Sequence, residues 1–206
     1  MVRGRRSFGG AFVIIIGICL LGACGAVVDG NPSGVTSDRG QASRSLPFVP
    51  TIEDRWNSRN MGTEYEPCNA LTSREISGLG VDPDTVRDAA RTSGQTARGC
   101  AWKYRRESFD DESRWSITQA VGNSKSLEAY KIKYSSWPWR RDVSIEGRPV
   151  GVRESTDVDE CMTYVQSGTA GVHTLVIHLG DERRPIDEAC GRAIEFTRAT
   201  VSRMPR

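Results

Sequence analysis

The chain has 206 residues, with 28 Lys+Arg against 26 Asp+Glu and a formal net charge of +2. Three arginines (Arg3, Arg5 and Arg6) fall in the first six residues, leaving 25 bases against 26 acids in the rest of the chain. A near-neutral body with interspersed charges, as in Glu182-Arg183-Arg184 and Asp54-Arg55, excludes the basic footprint of a nucleic-acid-binding protein.

The cationic start runs into an apolar segment from Ala11 to Leu21, shorter than the roughly 20 residues that span a bilayer. A charged start, a short apolar core and small residues beyond it predict a signal peptide over residues 1–23. Leu21-Gly22-Ala23-Cys24 resembles a bacterial lipobox, in which the Cys24 thiol takes a diacylglyceryl group before cleavage. Each buried methylene of such a lipid adds about 0.8 kcal/mol, so two or three acyl chains make a durable anchor. The expectation is a lipid-anchored protein on the extracytoplasmic face of the cytoplasmic membrane. Arg5-Arg6-Ser7-Phe8 also resembles a twin-arginine signal. The run Ile14-Ile15-Ile16 is more apolar than such signals usually are, which points to the general secretion route.

Residues 24–64 are rich in Gly, Ser, Pro, Asn and Asp and predict a lipidated, mostly disordered tether. Trp56 and Leu46-Pro47-Phe48-Val49-Pro50 are its apolar exceptions, with the character of segments that dock on a domain. A globular part is expected over residues 65–206. Thr72-Ser73-Arg74-Glu75 reads as a capping box, with Leu71 and Ile76 as its hydrophobic staple and Gly78 and Gly80 ending the helix. Residues 82–99 admit either a second short helix or a strand. Strands are expected from Cys100 to Arg106 and from Trp115 to Val121, joined by a loop at Phe109-Asp110-Asp111-Glu112.

Ser126 to Tyr134 reads as a helix, with Leu127, Tyr130 and Tyr134 at helical spacing. Val143–Ile145 and Val150–Val152 flank a hairpin turn at Glu146-Gly147. Cys161–Gln166 and Val172–Leu179 form another hairpin, turned at residues 167–171. The last element is a helix from Pro185, with Asp187 and Glu188 in its first turn. Ile186, Ala189, Cys190, Ala193, Thr197, Val201 and Met204 form its apolar stripe. The pattern predicts one α+β domain, an antiparallel sheet packed by a long C-terminal helix and short helices.

Cys19 leaves with the leader and Cys24 carries lipid, so Cys68, Cys100, Cys161 and Cys190 remain. An even number in an exported domain predicts two disulfides. Three connectivities are possible. Sequential pairing, Cys68–Cys100 and Cys161–Cys190, is expected because each bridge joins neighbouring elements. No Cys-x-x-Cys occurs and the histidines lie elsewhere, so no metal or cofactor is expected.

Taken together, these residues resemble a family of actinobacterial lipoproteins, the domain of unknown function three-five-five-eight. The matching pieces are the lipobox, the tether, Glu66-Pro67-Cys68 with Leu71-Thr72 and Glu75, and Gly99-Cys100-Ala101-Trp102. The Cys161 strand and the helix bearing Ala189-Cys190 and Ala193 fit as well. The tether is less rich in Ser and Thr than the family pattern. The resemblance implies an extracytoplasmic envelope protein and supplies no catalytic residues.

The residues themselves offer little acid–base chemistry. His173 and His178 are the two histidines, and five-residue spacing on a strand points them to opposite faces. His173 shares a face with Leu175, Ile177 and Leu179, as a hydrogen-bonded member of a core edge would. Asp157, Asp159 and Glu160 lack the spacing of a calcium loop and read as a solvated turn. Ser136-Trp137-Pro138-Trp139-Arg140-Arg141 has the composition of a contact hot spot for an envelope protein or a glycan. If its rings instead cap the core, Trp137 is expected buried and Trp139 partly exposed. The reading is a noncatalytic binding protein of the envelope; a small envelope hydrolase of unfamiliar type is the alternative, should a pocket converge on His178.

Overall fold

A computed structural model describes residues 45–106, 114–155 and 157–206. The leader, the lipobox with Cys24, the start of the expected tether and the Phe109–Glu112 loop lie outside the described residues.

Seven strands form one antiparallel sheet: β1 (Val81–Asp88), β2 (Arg98–Tyr104), β3 (Trp115–Asn123), β4 (Val143–Ile145), β5 (Arg148–Ser155), β6 (Glu160–Ser167) and β7 (Ala170–His178). Their spatial order is β1-β2-β3-β7-β6-β5-β4. The chain runs outward and back as two meanders. The first ends at β3 in the middle; the second starts at the far edge with β4 and returns to place β7 beside β3. Two-residue turns set the β4–β5 and β6–β7 hairpins. Glu146 and Gly147 both have positive φ, the geometry that matches strand twist in a tight hairpin. The β6–β7 turn is also tighter than the sequence suggested, because Ser167 pairs directly with Ala170 across Gly168 and Thr169.

Alternation along the strands sorts the side chains into two faces. Val121, Val172, Val165 and Val150 share a register row on the inner face. Ile117, Val176 and Cys161 stand in another. Helix α3 (Ile186–Thr200) lies on this face and buries Ala189, Cys190, Ala193, Phe196, Thr197 and Thr200 against it. Its small residues allow close approach, and a 3-10 turn at Val201–Arg203 replaces the expected continuation of the helix to Met204. A polar seam crosses this apolar layer. Tyr65 Oη donates to Gln119 Oε1 at 2.5 Å, and Gln119 Nε2 donates to Thr174 and Thr200 at 2.9 and 3.0 Å. Thr163 and Thr197 pair at 2.5 Å. Every member of the seam finds a partner, which keeps buried polar groups from destabilising the core.

The other half of the inner face is covered from the N-terminal side. Helix α1 (Ser73–Gly78) starts at the capping box: Glu75 N donates to Thr72 Oγ1 at 3.3 Å and Thr72 N to Glu75 Oε2 at 2.7 Å. The ambiguous stretch after it is an edge strand, not a helix. Pro83 is tolerated because β1 is at the edge, and the register slips between Asp82 and Arg87.

The expected domain boundary at residue 65 is too late. Arg55, Asn60 and Thr63 are buried, and the backbone of residues 59–62 bonds to Asn123 and Thr169. Arg55 is held on every side, its Nε by Asp88 at 3.0 Å and its two terminal nitrogens by Glu66 at 2.8 and 3.0 Å. Arg98, fully buried, donates to Glu66 at 3.0 Å and to Thr63 O at 2.9 Å, with Trp56 stacked 3.3 Å away. Residues 45–66 are therefore a strap belonging to the domain. The sequence reading missed it because a Gly/Ser/Asn-rich composition looks solvated when its two arginine partners lie far along the chain.

Both disulfides form as expected, Cys68–Cys100 and Cys161–Cys190. They close loops of 32 and 29 residues. Nonreducing peptide mapping will recover these two pairs, and reduction will cost about 3–4 kcal/mol per bridge. A peptide joining Cys68 to Cys161 would refute the pairing.

Candidate functional site

The outer face of the sheet carries neither disulfide and is crossed by the connection from β3 to β4. Ser126 opens that connection as an N-cap, accepting from Ala129 N at 3.0 Å, and Leu127–Lys133 form helix α2. The helix lies over β5 and β6, and glycine makes the approach possible: a Cβ on Gly151 would sit 2.5 Å from Leu127 Cδ1. A Cβ on Gly171 would overlap the Tyr164 ring, which is fully buried.

An aromatic cluster fills the space between α2 and the sheet. Tyr130 is its hub, with ring centroids 4.7 Å from Tyr164, 4.8 Å from His173, 4.6 Å from Tyr134 and 6.1 Å from Trp139. Tyr164 and His173 are register partners on β6 and β7. The His173 ring lies among them with Nδ1 sealed from solvent and without a hydrogen-bond partner. The expected face is right, but Nδ1 finds no hydrogen-bond partner among the described residues. Burial, and secondarily the Arg153 charge, lowers the imidazole pKa to about 4.

Beyond Pro138 the chain runs beside β5 as an edge segment. Trp139 bridges to Arg153, Arg140 N donates to Val152 O at 2.9 Å, and Glu154 N donates to Pro138 O at 3.1 Å. Alternation then divides the four residues expected to bind. Arg140 turns to the inner side and pairs with Glu154 and, at 2.6 Å, with Asp187 at the start of α3. Trp139 turns outward, but its indole N–H donates to Tyr134 O at 3.1 Å and its ring leans on Tyr130. These two residues hold the segment in place.

Trp137 and Arg141 are displayed. Trp137 is 36% exposed, which corrects the expectation that it is the buried ring of the pair. Tyr134 stacks on it at 4.4 Å and the Arg153 guanidinium lies 4.0 Å from the same centroid. Two groups so close cannot share one face, so the indole is sandwiched and presents its edge. Arg141 is exposed and has no ion pair among the described residues. Sequence reasoning missed Tyr130, Tyr164, His173 and Arg153. Their common face was legible from strand alternation; their meeting with α2 required knowing that the crossover lies on that face.

The other candidates are dispersed. His178 is buried on the inner face, 4.8 Å from the Trp115 ring, with neither ring nitrogen bonded. Asp159 is held by Arg183 at 2.9 Å and by Arg184 N at 3.1 Å, while Glu160 pairs with Arg153. Among the described residues no three His, Cys, Asp or Glu side chains converge as a metal ligand set.

The cluster generates two predictions. The unfolded chain protonates His173 near pH 6.5, whereas the folded one resists until about 4. The stability tied to neutral His173 is complete above pH 6.5 and falls as pH drops toward 4, by on the order of 3 kcal/mol. Chemical denaturation across that window will show His173→Phe with a flatter pH slope; an unchanged slope would refute the assignment. Second, Trp139→Ala will cost about 3 kcal/mol by opening the cluster. Trp137→Ala will cost about 1–2 kcal/mol, from one stacked ring and one cation–π contact. The reverse order of midpoints would put Trp137 in the core.

No curated protein and no solved structure matches the chain. Residues 19–203 match the family model described as Protein of unknown function (DUF3558), and the chain belongs to that family.

Proposed function

We propose that this protein is an envelope lipoprotein, acylated at Cys24 and held at the extracytoplasmic face of the cytoplasmic membrane, whose domain binds rather than catalyses. The observation that carries the binding role is the displayed edge of Trp137 beside the exposed Arg141. An indole that is buttressed on both faces yet open at its edge is preorganised for contact, because its rotamer is already fixed before a partner arrives. The lipobox and the apolar leader support the anchor. The two histidines stand on opposite faces of β7, which keeps them from working together on one ligand.

Metabolic labelling with a clickable palmitate will mark the wild-type chain and not Cys24→Ala. Equal labelling of the two would overturn the anchor. Crosslinking in intact cells will capture an envelope component through the wild-type domain, with capture reduced in Trp137→Ala while the denaturation midpoint stays within the loss given above. Undiminished capture would move the binding role away from this face.

A further inference from the structure

We infer that the α2 face is a docking surface for an anionic lipid membrane, which turns the tethered domain onto the bilayer with Trp137 at the headgroups. The inference rests on the proposed anchoring and names the partner of the same site.

Charge is the first observation. Residues 125–142 carry five Lys+Arg against two acids in a chain that is otherwise near neutral. Lys131 is taken by Asp142, and Arg140 by Glu154 and Asp187. Lys125, Lys133 and Arg141 remain exposed and without an ion pair among the described residues, and Glu128 is the acid among them. Lys133 is steadied only by the Tyr134 ring, 5.2 Å away.

Apolar exposure is the second. Ile132 is 68% exposed, on the side of α2 opposite Tyr130, one turn from Trp137. A branched aliphatic at the tip of a short helix, an indole beside it and a collar of free cations is the composition of a membrane-interface contact. Tryptophan and lysine or arginine prefer the headgroup level, and aliphatic side chains the acyl boundary.

The geometry of Trp137 selects among partners. Both ring faces are covered, so no sugar ring can stack there. What the site offers is the exposed edge of the indole together with ammonium and guanidinium donors. Such a set is dominated by donors, three cations to one carboxylate, and fits phosphate oxygens. Residues 25–44 separate Cys24 from the described domain; at full extension twenty residues reach about 70 Å, longer than the domain radius of about 15 Å. The anchor therefore permits this face to meet the bilayer.

The test uses the processed, acylated protein on vesicles of phosphatidylcholine, with or without phosphatidylglycerol, made with brominated acyl chains. Intrinsic fluorescence will be quenched more strongly on the anionic vesicles, with the difference lost in Trp137→Phe and kept in Trp56→Phe. Lys133→Gln and Arg141→Gln will each lower the docked-to-undocked ratio about fivefold, and added salt will lower it further. Arg141 is exposed and pairs with no acid among the described residues, so its variant reads docking with little disturbance of the fold. Equal quenching on both lipids, or quenching indifferent to Trp137→Phe, would overturn the proposal. Self-association through Trp137 in the absence of vesicles would assign the face to a second copy instead. Failure of the anchor is separable: such a chain washes off neutral vesicles, and its co-sedimentation with anionic ones still decides whether the face docks.

Discussion

A seven-stranded sheet is wider than one helix can cover, and that mismatch organises this domain. Six gaps at strand spacing make a sheet about 29 Å across, while a helix with its side chains is only about 10 Å thick. Helix α3 packs mainly on β5, β6 and β7 and reaches β2 and β3 through Phe196 against Trp102 and Thr200 against Gln119, leaving the rest of that half to other parts of the chain. The N-terminal part of the chain completes the layer, with the 3-10 turn at Pro67–Asn69, α1 and the strap. Each half is stapled once, α3 to β6 by Cys161–Cys190 and the N-terminal turn to β2 by Cys68–Cys100. Two bridges serve because two separate pieces of chain share the work of one covering layer.

The strap is fixed by charge where apolar area is scarce. Arg55 and Arg98 face Glu66 and Asp88, so the buried network is electrically balanced. Burial lowers the Arg98 pKa to about 10, yet it stays cationic at neutral pH. Buried ion pairs contribute little to net stability compared with apolar packing, but removing one partner strands the others at a cost of about 3–5 kcal/mol. The network therefore specifies one position for the strap. Arg55 also donates to Cys68 at 3.0 Å and to Gly99 O at 3.2 Å, which links the strap to the same disulfide that staples the turn.

The local signals in the sequence were good guides wherever the fold is local. Thr72 and Glu75 announced α1, Ser126 announced α2, Glu146-Gly147 announced a tight hairpin, and cysteine spacing with neighbouring elements gave both bridges. What was hidden depends on distant partners. Residues 45–64 resemble a linker until Arg55 and Asn60 are matched to Asp88, Glu66 and Gln95. The aromatic cluster was hidden for the same reason: Tyr130 lies 34 positions from Tyr164 and 43 from His173 in sequence, and only the crossover brings them together. Trp137 was misassigned because a large aromatic after a helix is usually buried, whereas here the helix sits on the sheet through Leu127 and Tyr130 and leaves its last turn at the rim.

The crossover is also what places the candidate site on the outer face. A chain leaving the middle strand β3 for the far edge must pass over one face, and α3 already occupies the other. Helix α2 is thus placed on the open face by topology, and Gly151 and Gly171 let it settle there. The edge segment that follows uses strand alternation to separate two tasks. Arg140 points inward and is clamped by Asp187, which ties the segment to α3 across the edge of the sheet. Trp137 and Arg141 fall on the outward positions, held by a backbone that pairs with β5 on one side of Pro138 and by the Tyr134 stack on the other. A displayed aromatic edge that is rigid at its base loses little entropy on contact, so the same bonds that finish the sheet would favour the binding proposed for this surface.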